Sequence, residues 1–184
     1  MRRAFAMLSM STAAVALTPA PARAQPPVSW SVAGAGCVPT GQTASGPGSF
    51  NSAGDSKFAA GRVGEIILTC PVAPVLARAR VFAMTYRDPD GADRATRVRA
   101  VLRQKELLTG NVSDVAWARL DSNAFPPAAS NKLVSALAPR ACDGAAFVFD
   151  YARFTYYVQV NMERQAPSGD VLLASVELGN ALIC

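Results

Sequence analysis

The stretch Tyr86–Arg97, YRDPDGADRATR, sets three aspartates, Asp88, Asp90 and Asp93, around a glycine, and is the closest the chain comes to a recognisable site. Carboxylates so placed could hold calcium, a hard cation that takes oxygen ligands. An EF-hand loop, however, needs D-x-[DN]-x-[DN]-G and a closing glutamate. Here Gly91 follows Asp90 directly, Asp93 comes two residues after it, and no glutamate falls in place. The same residues are turn chemistry. Pro89 presets φ, Asp90 can cap, and Gly91 accepts positive φ. The stretch lies between two alternating runs, so it is expected to be a hairpin that binds no calcium tightly. A weak calcium site on Asp88, Asp90 and Asp93, completed by neighbouring loops, is the alternative.

The rest of the chain narrows the chemistry by exclusion. It contains no histidine, so Ser-His-Asp and Cys-His machinery and His-ligated zinc are ruled out. It has no G-x-S-x-G elbow and no GxxxxGK[ST] phosphate loop. No cofactor is indicated. A glycosidase-type carboxylate pair needs no histidine, and Asp88, Asp121 and Asp150 are candidates. The plainer reading makes the carboxylates turn residues and solvated faces. Tyr157 and Trp117 could belong to a ligand platform, although tyrosine is ordinary in strands.

The cysteines point to a compartment. Cys37, Cys70, Cys142 and Cys184 are even in number and lack C-x-x-C spacing, which favours two disulfides over a metal cluster or a reactive thiol. Three connectivities are possible. Cys37–Cys70 with Cys142–Cys184 closes the smallest loops and is preferred, each bridge stabilising by roughly 4 kcal/mol in the chain-entropy model.

The first residues agree with export. MRR is a short basic region, AFAMLSMSTAAVAL is mildly apolar, and TPAPARAQ offers a small-residue cleavage site at Ala22 and Ala24. Residues 1–24 therefore read as a secretory signal peptide, with RRAF as a weaker twin-arginine alternative. The apolar run is shorter than the ~20 residues a membrane span needs, and no transmembrane segment is expected in the mature chain. Losing Arg2, Arg3 and Arg23 lowers the net charge from +5 to +2. That is too small to indicate nucleic acid. Arg94, Arg97, Arg99 and Arg103 cluster with the spacing of one strand's solvent face.

Residues 25–184 must then position whatever site exists, as one domain. Ser29–Val38 can be a first strand, followed by a long Gly/Ser/Asn loop with one short strand near Phe58. From there the period is two. GEIILTCPV puts Ile66, Leu68 and Cys70 on one face. ARVFAMTYRD turns Phe82, Met84 and Tyr86 inward. TRVRAVLRQ alternates Val98, Ala100 and Leu102 against the arginines. Residues 97–108 also fit helical spacing; strand is preferred because turns bracket them. RFTYYVQVNMER sets Phe154, Tyr156, Val158, Val160 and Met162 against Thr155, Tyr157, Gln159, Asn161 and Glu163. Phe147, Phe149 and Tyr151 have the opposite parity, so a bulge or sharp bend is expected near Ala152 and Arg153. DVLLASVELG would bury Leu172, Ala174, Val176 and Leu178. The expected fold is all-β: a single antiparallel β-sandwich of about seven to nine strands, disulfide-stapled.

The order CVP, GEIILTCPV, VFAMTYRDPDG, ARLDSN and FVFDYARFTYYVQVNMER resembles a layout found in small secreted bacterial β-sandwich proteins with no assigned activity. The resemblance implies fold and export, with Cys37 and Cys70 as the shared pair and Cys142 and Cys184 as additions. It supplies no functional residue. Together these readings favour a non-catalytic exported binding or envelope-associated module, periplasmic or extracellular, with an envelope or extracellular partner. The second hypothesis is a histidine-free hydrolase using paired carboxylates, for instance on glycans.

Overall fold

The computed structural model describes residues 29–40, 48–50, 53–93 and 95–180. The predicted leader, Arg94 and Cys184 lie outside the described residues. In chain order the strands are β1 (Trp30–Ala33), β2 (Val38–Pro39), β3 (Gly48–Phe50), β4 (Ser56–Phe58), β5 (Gly64–Pro71), β6 (Arg78–Ala79), β7 (Val81–Asp88), β8 (Thr96–Glu106), β9 (Val112–Asp121), β10 (Ala128–Leu137), β11 (Phe147–Val148), β12 (Phe154–Arg164) and β13 (Leu172–Gly179). Every pairing is antiparallel. One sheet runs β10-β7-β13-β4-β3, with β1 also on β13; the other runs β2-β5-β12-β8-β9; β11 and β6 form a small pair. Among the described residues no helix is long and apolar enough to cross a membrane.

Alternation explains how the two sheets meet. Phe82, Met84 and Tyr86 of β7, Val98, Ala100 and Leu102 of β8, and Val158, Val160 and Met162 of β12 are all buried and belong to one core. Each sheet thus turns an apolar face to the other, which is the layered solution of a β-sandwich. Residues 97–108 are strand through Glu106, not helix. β12 sits at the centre of its sheet, between β5 and β8, and its alternation is unbroken from Tyr156 to Arg164. The parity change before it is a tight turn: the amides of Arg153 and Phe154 both donate to the Asp150 carbonyl.

Two expectations need correction. The Ala174 side chain is only half-buried, while Leu173 belongs to the core. The register of β13 on β7 shifts between Leu173 and Ser175, so a bulge passes the inward face from Leu173 to Val176. The second correction concerns the aspartate loop. β7 and β8 do not pair with each other; they lie in different sheets. PDG therefore builds an arch that carries the chain from one sheet to the other, not a hairpin. Turn chemistry is the same in both, and only the strand partners differ.

The Cys37–Cys70 disulfide ties the segment before β2 to β5, with Cα atoms 4.3 Å apart. It lies inside the core cluster. Cys142 is disulfide-bonded as well.

Candidate functional site

Asp88 continues the inward face of β7 and is fully buried. The Thr96 hydroxyl lies 2.6 Å from Asp88 Oδ1 and also meets Asp90, whose other oxygen accepts the Thr96 amide at 2.9 Å. Asp93 stays exposed outside this group, its backbone carbonyl accepting from the Asn123 side chain at 3.0 Å. The arch thus brings together two of its three aspartates.

The two carboxyls are shifted in opposite directions. Burial pushes the Asp88 carboxyl above its ordinary value of 3.8, and the neighbouring Asp90 adds to the rise, against the opposing influence of Ser122 and Thr96. For Asp90, partial burial acts upward, but the neighbouring Asp88, Thr96 and the Ala95 amide outweigh it and hold the group below 3.8. The two carboxyls meet through the Thr96 hydroxyl, and Asp88 Oδ2 is buried without a hydrogen-bond partner among the described residues. Tyr86, buried beside them, has its phenol raised by burial and by the Asp88 and Asp121 charges.

The sign of the pH dependence follows. Because the Asp88 value is raised on folding, its contribution is fully present below 3.8 and falls as pH rises towards the higher folded value. Asp90 acts oppositely, its contribution being present above 3.8 and lost as pH falls through the lower folded value. Asparagine at position 88 has nearly the same shape and cannot ionise, so it removes the cost of a buried charge. Asp88→Asn is therefore expected to melt at or above the wild-type temperature at about pH 7, with a flatter profile above pH ~4. Melts across pH, each with millimolar calcium and with chelator, check this. A loss of several degrees at neutral pH, or a calcium-dependent rise in the wild type, would instead require an ionised Asp88 and support the cation reading.

The three sequence candidates for a hydrolytic pair do not form one. Asp88 reaches no solvent. Asp121 faces Arg97, whose Nε lies 3.0 Å from Oδ1 and whose terminal nitrogen reaches Oδ2, and it also accepts the Asn123 amide at 3.2 Å. Burial acts to raise the Asp121 pKa, but Arg97 outweighs it and the group is held low. Asp150 lies in the turn before Phe154. Phe154 pairs with Glu106 at one end of the β12–β8 ladder, and Arg164 pairs with Thr96 at the other. That length of strand separates Asp150 from the arch by roughly 30 Å, whereas paired catalytic carboxylates sit roughly 5–10 Å apart.

The outer face of the five-stranded sheet is organised differently. Tyr157, Gln159 and Asn161 project from β12, a row about 13 Å long at strand spacing. Tyr157 stands between Pro71 of β5 and Arg103 of β8. A hydrogen-bonded chain crosses the sheet. Asn161 Nδ2 donates to Glu65 at 2.5 Å, Gln159 Nε2 donates to Asn161 at 2.8 Å, and Arg103 donates to Gln159 Oε1 at 2.8 Å. Arg103 Nε then meets Asp114 at 3.1 Å, and Arg119 reaches the same carboxylate at 3.7 Å. An amide has two N–H groups and two acceptor sites. In these bonds Gln159 uses one of each, and Asn161 does the same. Each keeps a donor and an acceptor for something laid on the face.

Trp117 does not join this surface. Its ring meets Phe147 at 6.2 Å, at the edge of an aromatic cluster that continues through Phe149, Tyr151 and Tyr156. That cluster is structural: the Tyr151 hydroxyl lies 3.2 Å and 3.1 Å from the carbonyls of Ala73 and Leu76. Alternation in RFTYYVQVNMER placed Tyr157, Gln159 and Asn161 on one face. Their bonding to Arg103 and Glu65 needed the strand register, which sequence does not carry.

No protein-family model matches the chain, and no curated protein does. Among solved structures it is similar to the xylan-binding module CBM15, at 15% identity over 86% of this chain and 100% of the other, with a TM-score of 0.46. It is also similar to a family two carbohydrate esterase from Cellvibrio japonicus, at 10% identity over 84% of this chain and 34% of the other, with a TM-score of 0.41. The chain spans about a third of that esterase's length.

Proposed function

We propose that this chain is a non-catalytic binding module and that the outer face of its five-stranded sheet receives a hydroxyl-rich ligand, a glycan. The observation that carries the reading is the row Tyr157, Gln159 and Asn161, held in place by Arg103 and Glu65. A sugar hydroxyl is at once donor and acceptor, and each fixed amide offers both. The tyrosine ring gives an apolar patch for the C–H face of a sugar ring. Because neighbours already fix the amides, binding orders few side chains and loses little entropy. A disulfide inside the core suits an oxidising compartment and so an exported protein.

Affinity electrophoresis through gels containing soluble neutral or uronate-bearing polysaccharides tests this. Retardation by at least one glycan is expected. Tyr157→Ala and Gln159→Ala should each weaken binding about tenfold while shifting the melting temperature by no more than about 2 °C. Unretarded wild-type protein, or variants retarded as strongly as wild type, would count against this face.

A further inference from the structure

One end of the same face carries excess positive charge. Arg97, Arg99 and Arg119 line a cleft of about 380 Å³ together with Leu120, Asp121, Ala124 and Phe125. Asp121 is its one carboxylate, and its two oxygens are taken by Arg97 and the Asn123 amide. Arg97 is further compensated by Glu163 at 3.8 Å. Arg119 has only the 3.7 Å approach to Asp114, which Arg103 already holds more closely. Arg99 feels Asp121 through space, but that carboxylate is committed elsewhere. Among the described residues, Arg99 thus stands in the cleft with no carboxylate in ion-pair contact, and Arg119 has only a long approach to a carboxylate that it shares with Arg103.

Register lets them act together. Arg99 pairs with Asp121 and Val101 with Arg119, which makes Arg99 and Arg119 diagonal neighbours on one face. Diagonal positions lie about 7–8 Å apart, within reach of long side chains. Like charges so close repel unless an anion lies between them, and guanidinium forks match planar carboxylates and the oxygens of sulfate.

We propose that Arg99 and Arg119 form an anion subsite, and that the module's ligand is an acidic glycan whose carboxylate or sulfate group is held there. The inference rests on the glycan reading above and adds the charge class. Tyr157, Gln159 and Asn161 take the sugar, and the arginine end selects the acidic substituent.

The test uses the full chain, matched probes and two variants, Arg99→Gln and Arg119→Gln. Polygalacturonate and its highly methyl-esterified form share a backbone and differ in carboxylate charge. Dextran sulfate and dextran do the same for sulfate. Single-stranded poly(U) serves as a polyanion with no glycan backbone. The expected result is stronger retention on one acidic member than on its neutral partner. The excess should weaken with salt and fall about tenfold in either variant. Tyr157→Ala should weaken retention on both members of the pair. Which pair shows the excess tells carboxylate from sulfate. Equal retention on acidic and neutral partners, unchanged by the arginine variants, would overturn the anion subsite and leave the glycan reading standing. Retention on poly(U) matching the acidic glycan would overturn it in favour of general polyanion binding. Wild type retained on none of the glycans would overturn both readings.

Discussion

Replacing Cys37 and Cys70 together by alanine is expected to destabilise the native state by about 4 kcal/mol. The bridge joins residues 33 apart in sequence, and its loss frees that loop in the unfolded chain. For a domain of this size the melting temperature should fall by about 8–16 °C. Alanine is the right substitute because both cysteines are buried, at 2% and 0% exposure, and serine would leave a hydroxyl in the core. Thermal melts of the variant against the oxidised wild type measure the effect. A fall below about 2 °C would mean that the β2–β5 pairing and the core around it fix this segment without the bridge.

Gly34→Ala is expected to cost about 3 kcal/mol or more. A methyl group there would stand 2.3 Å from the Leu173 carbonyl oxygen and 2.6 Å from the Ser56 amide nitrogen. Both atoms are backbone, on β13 and β4, so neither can rotate away. Gly36 is a useful contrast. Its added methyl would meet only the tip of the Val32 side chain, at 2.6 Å, which can shift. Denaturant titration of Gly34→Ala and Gly36→Ala should therefore give a much lower midpoint for the first at unchanged slope. Equal midpoints would show that β4 and β13 can separate at that point without loss.

Most of the fold was legible because one face of each long strand is buried. In β7, β8 and β12 the period of two names the core residues directly, and the structure buries them except Phe154 at the start of β12, which is only half-buried. Alternation does not state which strand lies beside which. The PDG segment shows the consequence: its turn residues were recognisable, yet the chain crosses between sheets there and Asp88 becomes a buried partner of Thr96. The bulge at Ala174 was hidden for a related reason. It adjusts β13 to β7, and no residue in LLASVELG signals it. The candidate face was half legible. Tyr157, Gln159 and Asn161 could be placed on one side of a strand. The cross-strand bonds to Arg103 and Glu65, and the convergence of Arg99 with Arg119, depend on register.

The place of β13 in its sheet has a consequence for the order in which the chain can fold. It follows every other described strand in sequence, yet it stands inside the sheet, bonded to β7, to β1 and to β4. Trp30 finds its partner Leu178 across almost the whole domain. A growing chain that has not reached β13 leaves β1 and β4 without the neighbour that joins them to β7. The first sheet cannot close before β13 is in place. Such distant pairings place the domain among the slow folders, because loop closure must precede the contacts that reward it. A keystone strand reached after the strands it joins leaves the first sheet open until it is in place.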